Sequence, residues 1–182
     1  MKYYSRDDLK KILSSASENI YLDIGCGARK KQDHIGVDKI SVEGVDINCD
    51  IEAGLPIADN SVDGIYSNYF LEHVKDLIFV FQEIYRVCKN GARVELLVPY
   101  YTSINAFKDP THRQFFTEET FKYFSKDKWY GSDYNINTNF RLLEIKYHYS
   151  RIVKLFPFFK KYIRRHIINS VGAMTVKLEV IK

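Results

Sequence analysis

The chain has 182 residues, of which 46 % are apolar and 27 % are charged, and its formal net charge is +4. This balance is typical of a soluble globular protein and excludes a disordered or fibrous one, and the length fits one domain, residues 1–182. The longest apolar runs fall short of the ~20 residues that span a bilayer and no signal-peptide pattern opens the chain, so we expect a cytoplasmic protein.

The first half of the chain alternates predicted strands and helices. Ser5 is a candidate N-cap of a leading helix within 1–19. Asp76 is a candidate N-cap of the clearest helix, which we expect to end on the stop signal Lys89, Asn90 and Gly91. Short runs rich in β-branched residues predict four strands before that helix, at 20–24, 34–40, 45–51 and 62–67.

Strands dominate the second half. The predicted elements there are strands at 92–101, 140–150 and 173–182, a short helix at 117–125 capped by Thr117, and a mostly helical insertion at 152–171. This order of elements predicts a three-layer α/β domain with a mostly parallel sheet. Within it, we expect a ligand-binding core at 20–125 and C-terminal strands at 126–182.

Small and acidic residues follow the predicted strands. Because ligands of an open α/β sheet bind at the carboxyl ends of its strands, the loops there are candidate sites. Gly25 and Gly27 lack a Cβ and let the backbone approach a ligand closely. Asp38 stands where an acidic side chain can accept hydrogen bonds from ribose hydroxyls. Each feature alone also fits an ordinary turn, but their order favours a nucleotide-type site.

The charge of the first loop bears on which nucleotide it binds. A dinucleotide site needs a third glycine at position 30, where this chain has Lys30. Asp23 precedes the glycines, and its carboxylate would repel a pyrophosphate but can bind an amino group, directly or through water. The loop therefore points away from NAD and towards a ligand with an amino-acid end and a nucleoside end.

Several motifs in residues 20–125 resemble those of class I S-adenosylmethionine-dependent methyltransferases, most closely the group that shares the D-LP-x-x-D-x-S-x-D and LEH signatures. The motifs are LDIGCG, GVD, CDIEAGLPIADNSVDGIYSNYFLEHVKD, EIYRVCKNGARVELLVP and DPTHRQFFTEETF. The resemblance implies a three-layer Rossmann-like methyltransferase fold with a mostly parallel seven-stranded sheet whose last strand is antiparallel. It also implies S-adenosylmethionine as cofactor and S-adenosylhomocysteine as product.

The resemblance assigns cofactor contacts residue by residue. The residues concerned are Asp23, Gly25, Cys26 and Gly27 beneath the methionine part, Asp38 at the ribose with Asp46 as its alternative, Asp50 and Ile51 at the adenine, and Asn68 towards the methionine or the substrate. One departure stands out, because only ten residues separate Gly27 from Asp38 where the family has a full helix. We therefore expect that helix to be shortened to a turn or two around 29–32.

Three residues are candidates for catalysis. Methyl transfer from a sulfonium depends mainly on alignment and needs a general base only where the acceptor carries a proton. His112 is the first candidate base and His73 the second, while Tyr100, or Tyr101 as its alternative, is a candidate for orienting an acceptor. Structural roles are the alternatives for both histidines. Neither the cysteines nor the other histidines show metal-ligand spacing, so we expect no metal site.

The acceptor side of the sequence is less specific. Residues 145–178 hold eight of the 27 basic residues and no Asp or Glu, and KLFPFFKKYIRRHI interleaves basic with apolar residues. Such a segment is typical of a contact with an anionic membrane, which favours a glycan or lipid intermediate as acceptor, whereas the aromatic loops suit a small molecule. The alternatives are a helix that covers the sheet edge, an RNA-directed methyltransferase that uses the same basic residues, and a non-catalytic S-adenosylmethionine-binding protein.

Overall fold

The computed structural model describes residues 19–125, 135–155 and 157–182. The predicted leading helix lies outside these residues. Within the described part of the chain, no helix is long and apolar enough to cross a membrane.

A seven-stranded mixed sheet forms the centre of the fold. Its strands in chain order are β1 (Tyr21–Ile24), β2 (Ile35–Asp38), β3 (Ile47–Asn48), β4 (Val62–Asn68), β5 (Cys88–Pro99), β6 (Phe140–Tyr149) and β7 (Val171–Val180). Their order across the sheet is β3-β2-β1-β4-β5-β7-β6. Strands β1 to β5 pair in parallel, whereas β7 runs antiparallel to β5 and β6. This topology confirms the predicted mostly parallel sheet with an antiparallel last strand.

Helices and short 3-10 turns connect the strands. The α-helices are α1 (Leu77–Val87), α2 (Arg151–Lys154) and α3 (Lys160–His166), and the 3-10 helices are Ile51–Ala53, Leu71–His73, Ile104–Ala106, Thr120–Phe124 and Pro157–Phe159. The helix predicted at 117–125 is therefore a 3-10 helix that begins at Thr120.

Helix α1 begins where its cap was predicted. The Asp76 carboxylate accepts a hydrogen bond from Phe79 N at 2.9 Å, which satisfies one of the free N–H groups of the first turn. Phe81 and Ile84 from its apolar face are fully buried against the sheet. The face that packs is thus the one that the helical spacing of the apolar residues indicates.

The predicted end of α1 is wrong. The helix stops at Val87, because Cys88 is extended (φ −70, ψ 143) and pairs with Val62 at the start of β5. The expected stop signal lies inside that strand, where Gly91 has a φ of +80° at an irregularity of the β4–β5 register. The glycine therefore serves a bulge and not a helix cap.

Candidate active site

The loop after β1 needs both of its glycines. Gly25 and Gly27 have φ angles of 70° and 51°, a region that other residues rarely adopt. Gly25 N donates to Val37 O at 2.8 Å and Gly27 N donates to Asp38 Oδ2 at 2.8 Å. A Cβ on Gly25 would overlap the Phe70 ring. The loop is thus held against β2 on one side and Phe70 on the other.

Asp23 lies at the end of β1 with one carboxylate oxygen unused. Its side chain is 2 % exposed, and Oδ2 accepts a hydrogen bond from Lys31 N at 2.7 Å. Oδ1 has no hydrogen-bond partner among the described residues, and burial raises the pKa of this carboxyl. A buried carboxylate oxygen without a partner is costly, so Asp23 fits a ligand that brings a cationic donor.

A cavity of about 250 Å³ opens beside Asp23. Its lining consists of Asp23, Gly25, Cys26, Arg29, Asn68 and Tyr69. It therefore brings together four residues that the sequence placed at the methionine part of the cofactor and on the substrate side. The shortened helix predicted around 29–32 is replaced by turns, and the Lys31–Asp23 bond ties these turns to β1.

A second, narrower cleft continues from Gly25 towards β2 and β3. Its lining includes Asp38, Asp50 and Ile51, the residues assigned to the ribose and the adenine. Asp46 does not line this cleft. Its Oδ2 accepts hydrogen bonds at 2.7 Å from Lys30 Nζ and at 2.7 Å from Gly36 N. The structure therefore brings Asp38 to the cleft, and not its alternative. The enclosed space is only about 20 Å³, since Phe70 packs along this cleft.

The LP-x-x-D motif holds the adenine side in place without touching the cleft. Arg86 in α1 donates to Leu55 O at 2.9 Å, Ile57 O at 2.8 Å and Asp59 Oδ1 at 2.6 Å. It also forms a two-point contact with Glu83, which lowers the pKa of the Glu83 carboxyl. The most specific part of the sequence resemblance is thus a structural clamp on the loop that follows Ile51–Ala53.

A separate cavity of about 300 Å³ is the candidate site for an acceptor, and we refer to it as the acceptor cavity. Its lining residues are Tyr69, Glu72, His73, Pro99, Asn105, Lys108, Asp109 and His112. Tyr69 lines this cavity and the one beside Asp23, and its φ of 51° is strained for a residue with a side chain. The two predicted base candidates, His73 and His112, therefore lie together next to the cofactor side.

Backbone hydrogen bonds join the LEH and DPTH motifs. Glu72 O accepts from Arg113 N at 2.7 Å and from Gln114 N at 3.1 Å, and Gln114 Nε2 donates to Val74 O at 3.1 Å. These bonds bring the ring centroids of His73 and His112 to 4.7 Å from each other. Because the two motifs are far apart in the sequence, the sequence alone does not predict this contact.

Burial shifts the pKa values of two residues of the acceptor cavity, Glu72 and His73. Glu72 is 1 % exposed, and burial raises the pKa of its carboxyl to about 7. Burial and the neighbouring His112 lower the pKa of His73. His73 Nδ1 lies 2.9 Å from Thr111 Oγ1, and His112 Nδ1 lies 2.9 Å from Ala106 O. Such perturbed groups beside a cavity are typical of functional sites.

Tyr100 does not line the acceptor cavity. Its side chain is fully buried and its hydroxyl donates to Glu118 Oε2 at 2.8 Å, while burial raises its pKa. We therefore correct the expected acceptor contact to a structural role, because the residue next to Pro99 turns into the core. Sequence reasoning did not identify Glu72 and Asp109 as cavity residues, although both stand in the motifs that carry the resemblance.

Comparisons with known proteins agree with this geometry. A family profile described as a methyltransferase domain matches residues 28–96. An S-adenosylmethionine-dependent methyltransferase from Archaeoglobus fulgidus has a TM-score of 0.64 at 20 % identity, over 96 % of this chain and 94 % of that one. The YcgJ protein of Bacillus subtilis has a TM-score of 0.59 at 18 % identity, over 98 % and 100 %. An S-adenosylmethionine-dependent methyltransferase from Mesorhizobium loti has a TM-score of 0.52 at 13 % identity, over 94 % and 97 %. No curated protein matches the sequence.

The residues present fit the cofactor of this family. The unpartnered Asp23 oxygen suits its ammonium group, Gly25 lines both the cavity beside Asp23 and the second cleft, and Asp38 lines that second cleft. When bound, S-adenosylmethionine supplies a methyl group on a sulfonium, which is already an activated donor. Residues 28–96 match a methyltransferase domain profile, and the chain has the fold of the S-adenosylmethionine-dependent methyltransferases to which it is similar.

Proposed function

We propose that the chain methylates a nucleophilic oxygen or nitrogen of a small polar acceptor that binds in the acceptor cavity. The observation that carries this proposal is the position of that cavity, which shares Tyr69 with the cavity beside Asp23. Its volume of about 300 Å³ lies at the lower end of the range for small-molecule sites. Its lining of imidazole, carboxylate and ammonium groups favours a polar ligand.

The transfer needs the acceptor to be held in line with the donated methyl group. Bound S-adenosylmethionine would supply the methyl group and leave as S-adenosylhomocysteine, and an acceptor that carries a proton would lose it to a base or to solvent. Fixing this geometry alone gives effective molarities of about 10⁵ to 10⁸ M in oriented systems. Glu72, His73 and His112 supply the polar groups that orient and activate the acceptor, and the base roles of the two histidines remain predictions.

A lipid or glycan-lipid acceptor is favoured by an apolar surface beside this cavity. Phe158 is 95 % exposed and Ile168 is 74 % exposed, and their segment continues to Asn169, whose Oδ1 accepts from Ile104 N at 2.7 Å. The turn that starts at Ile104 carries Phe107, which is also exposed. This surface reaches the cavity through Asn105. It fits a peripheral contact with an anionic membrane that presents the polar end of a lipid.

Arg164 is one of the residues that fix the segment to the domain. Arg164 is largely buried, donates to Glu118 Oε1 at 3.0 Å and lies 3.9 Å from the Tyr147 ring centroid. Its charge is therefore unavailable to lipid. Lys161 is exposed and remains available for a membrane contact, and the exposed Arg165 lies 3.7 Å from Glu118 Oε1.

A turnover assay tests the proposed function. Purified protein is incubated with S-adenosylmethionine and either small polar metabolites or lipid extracts, and S-adenosylhomocysteine release is measured. We expect release with one pool and a large loss in His112→Ala, while His166→Ala, which removes an exposed histidine, keeps the activity on a soluble acceptor. Tight S-adenosylhomocysteine binding without turnover in any pool would favour the non-catalytic alternative.

A further inference from the structure

We propose that Glu72, His73 and His112 bind a divalent first-row transition-metal ion in the acceptor cavity. One ligand atom from each of these residues lies within 4.8 Å of the other two. Two imidazoles and one carboxylate form a donor set that Zn²⁺ and other ions of this series prefer. The geometry therefore offers a metal site where the sequence analysis expected none.

Glu72 gives independent support, because one of its two carboxylate oxygens lacks a partner. The side chain is 1 % exposed, and Oε2 has no hydrogen-bond partner in the part of the chain that the structure describes. The residue nevertheless lines the cavity. A buried carboxylate without a donor is costly unless a cation neutralises it, and a bound metal ion supplies that cation.

The hydrogen bonds of both histidines leave a lone pair for the metal. Ala106 O can only accept, so the Nδ1 of His112 must donate to it. Thr111 Oγ1 donates its proton to Asp109 Oδ1 and therefore accepts from Nδ1 of His73. In each neutral ring the Nε2 atom is then unprotonated. Metal-binding histidines in proteins are oriented by this kind of outer hydrogen bond.

Asp109 is placed to complete the site. Its Oδ2 lies 4.0 Å from His112 Nε2, and it also lines the acceptor cavity. A metal held by these side chains keeps positions open on the cavity side, as catalytic sites do. An acceptor with a hydroxyl or other oxygen ligand fits those positions.

The role of the metal rests on the proposed function, whereas its binding does not. A metal ion stabilises the deprotonated form of an oxygen that binds to it. With both Nε2 lone pairs on the metal, neither histidine takes the acceptor proton, which leaves to solvent. The site thus selects oxygen acceptors among the nucleophiles named above.

Cobalt binding tests the site directly. The full chain is stripped with a chelator and titrated with Co²⁺ alone, and the visible d–d absorption of the protein-bound ion is recorded together with the heat of binding. We expect saturation at one Co²⁺ per chain. Binding should weaken as the pH is lowered, since protons compete for the imidazoles. No absorption and no heat at neutral pH would overturn the proposal.

Ligand variants locate the ion. His73→Ala, His112→Ala and Glu72→Gln should each weaken Co²⁺ binding at least about tenfold, as loss of a ligand costs more than loss of an outer contact. His166→Ala removes a histidine outside the cluster and should leave Co²⁺ affinity unchanged. Equal affinity in all four variants, or a loss in His166→Ala alone, would show that Co²⁺ binds elsewhere and would overturn the site.

Cofactor binding separates this inference from the proposed function. A thermal shift with S-adenosylhomocysteine in every variant shows that the domain is folded and binds its cofactor. Co²⁺ binding to the cluster without turnover would contradict the proposed acceptor chemistry but keep the metal site. Turnover with no Co²⁺ binding, unchanged by a chelator, would contradict the metal site alone.

Discussion

Gly25 and the Phe70 ring pack so closely that no other residue fits at position 25. A Cβ built on Gly25 overlaps the ring, whereas one built on Gly27 meets no atom within 4 Å. Both glycines have positive φ angles. A substitution at Gly27 therefore tests the positive φ angle alone, whereas a substitution at Gly25 tests the positive φ angle together with the overlap with Phe70.

Gly25→Ala should be much more damaging than Gly27→Ala. We expect Gly27→Ala to lower the free energy of unfolding by about 1 kcal/mol, which is the cost of the left-handed conformation. Gly25→Ala adds the overlap with Phe70 and should cost about 3 kcal/mol. It should also abolish the thermal shift with S-adenosylhomocysteine. Urea unfolding measures the free energy of unfolding, and the double variant Gly25→Ala with Phe70→Ala should recover part of the stability that Gly25→Ala loses. Equal losses in both single variants would contradict the steric account.

Asp23→Asn should separate stability from cofactor binding. Burial raises the pKa of Asp23 above its ordinary value of 3.8, so its stabilising contribution is full below the unfolded pKa and is lost as the pH rises through the folded pKa. Asparagine can keep the bond to Lys31 N without a buried charge. At pH 7 we therefore expect the melting temperature of the free variant to equal or exceed that of the wild type. Affinity for S-adenosylhomocysteine should fall roughly 10- to 100-fold, since a charge-assisted hydrogen bond is lost.

The pH dependence of binding gives a second readout for Asp23. Wild-type affinity should decrease as the pH falls through the raised pKa, because a protonated carboxyl no longer attracts an ammonium group. The affinity of Asp23→Asn should not change over that interval. Asp46→Asn is the control, since Asp46 contacts Lys30 and Gly36 and should keep the wild-type pH profile. A flat wild-type profile would contradict the assignment.

Arg86→Met should destabilise the domain without touching the cofactor. The methionine keeps the apolar stem but leaves Glu83, whose side chain is 12 % exposed, without its cation. We expect a loss of about 2 kcal/mol in the free energy of unfolding, less than for a fully buried pair because Arg86 is partly exposed. Arg93→Met removes the exposed ion pair with Glu179 and should change stability by less than about 1 kcal/mol. Similar losses in both variants would contradict a structural clamp.

Local patterns predicted the fold well because its elements depend on local signals. The cap at Asp76 and the small residues after β1 act within a few residues, and the structure reproduces both. The strand start at Cys88 depends instead on pairing with Val62, which no local pattern reports. Pairing between β4 and β5 thus ends the helix at Val87, before the stop signal that the sequence predicts.

The acceptor side was hard to predict because it is assembled from distant segments. His73 and His112 were identified singly, but their contact depends on backbone bonds from Arg113 and Gln114 to Glu72. Tyr100 is a sequence candidate for orienting an acceptor, yet its side chain turns inward to Glu118. The orientation of a side chain at a strand end is decided by packing, which one sequence does not display.

Removal of the exposed aromatic side chains should weaken membrane binding. Phe158 and Phe159 are 95 % and 61 % exposed, and burying one such side chain contributes about 1.5 to 3 kcal/mol. We expect the wild type to sediment with vesicles that contain anionic lipid, and Phe158→Ser with Phe159→Ser to reduce the partition coefficient at least about tenfold. The S-adenosylhomocysteine thermal shift should stay unchanged, because the segment lies outside the cofactor cavities.

Charge variants complete the membrane test. Neutralising Lys160, Lys161 and Arg165 should reduce binding to anionic vesicles roughly 100-fold at low salt, at about 1 kcal/mol per basic residue. Arg164 is left in place because its guanidinium is largely buried and donates to Glu118 at 3.0 Å, whereas Arg165 is exposed and lies 3.7 Å from that carboxylate. The matched control neutralises three basic residues on other parts of the surface, Lys75, Arg93 and Lys122, and should bind vesicles as the wild type does. Added salt should weaken vesicle binding by the wild type more than binding by the variant that lacks these three charges, because salt screens the charges that only the wild type carries. Equal binding of both variants, or no vesicle binding by the wild type, would leave the segment as a cover for the sheet edge and would restrict the acceptor to soluble molecules.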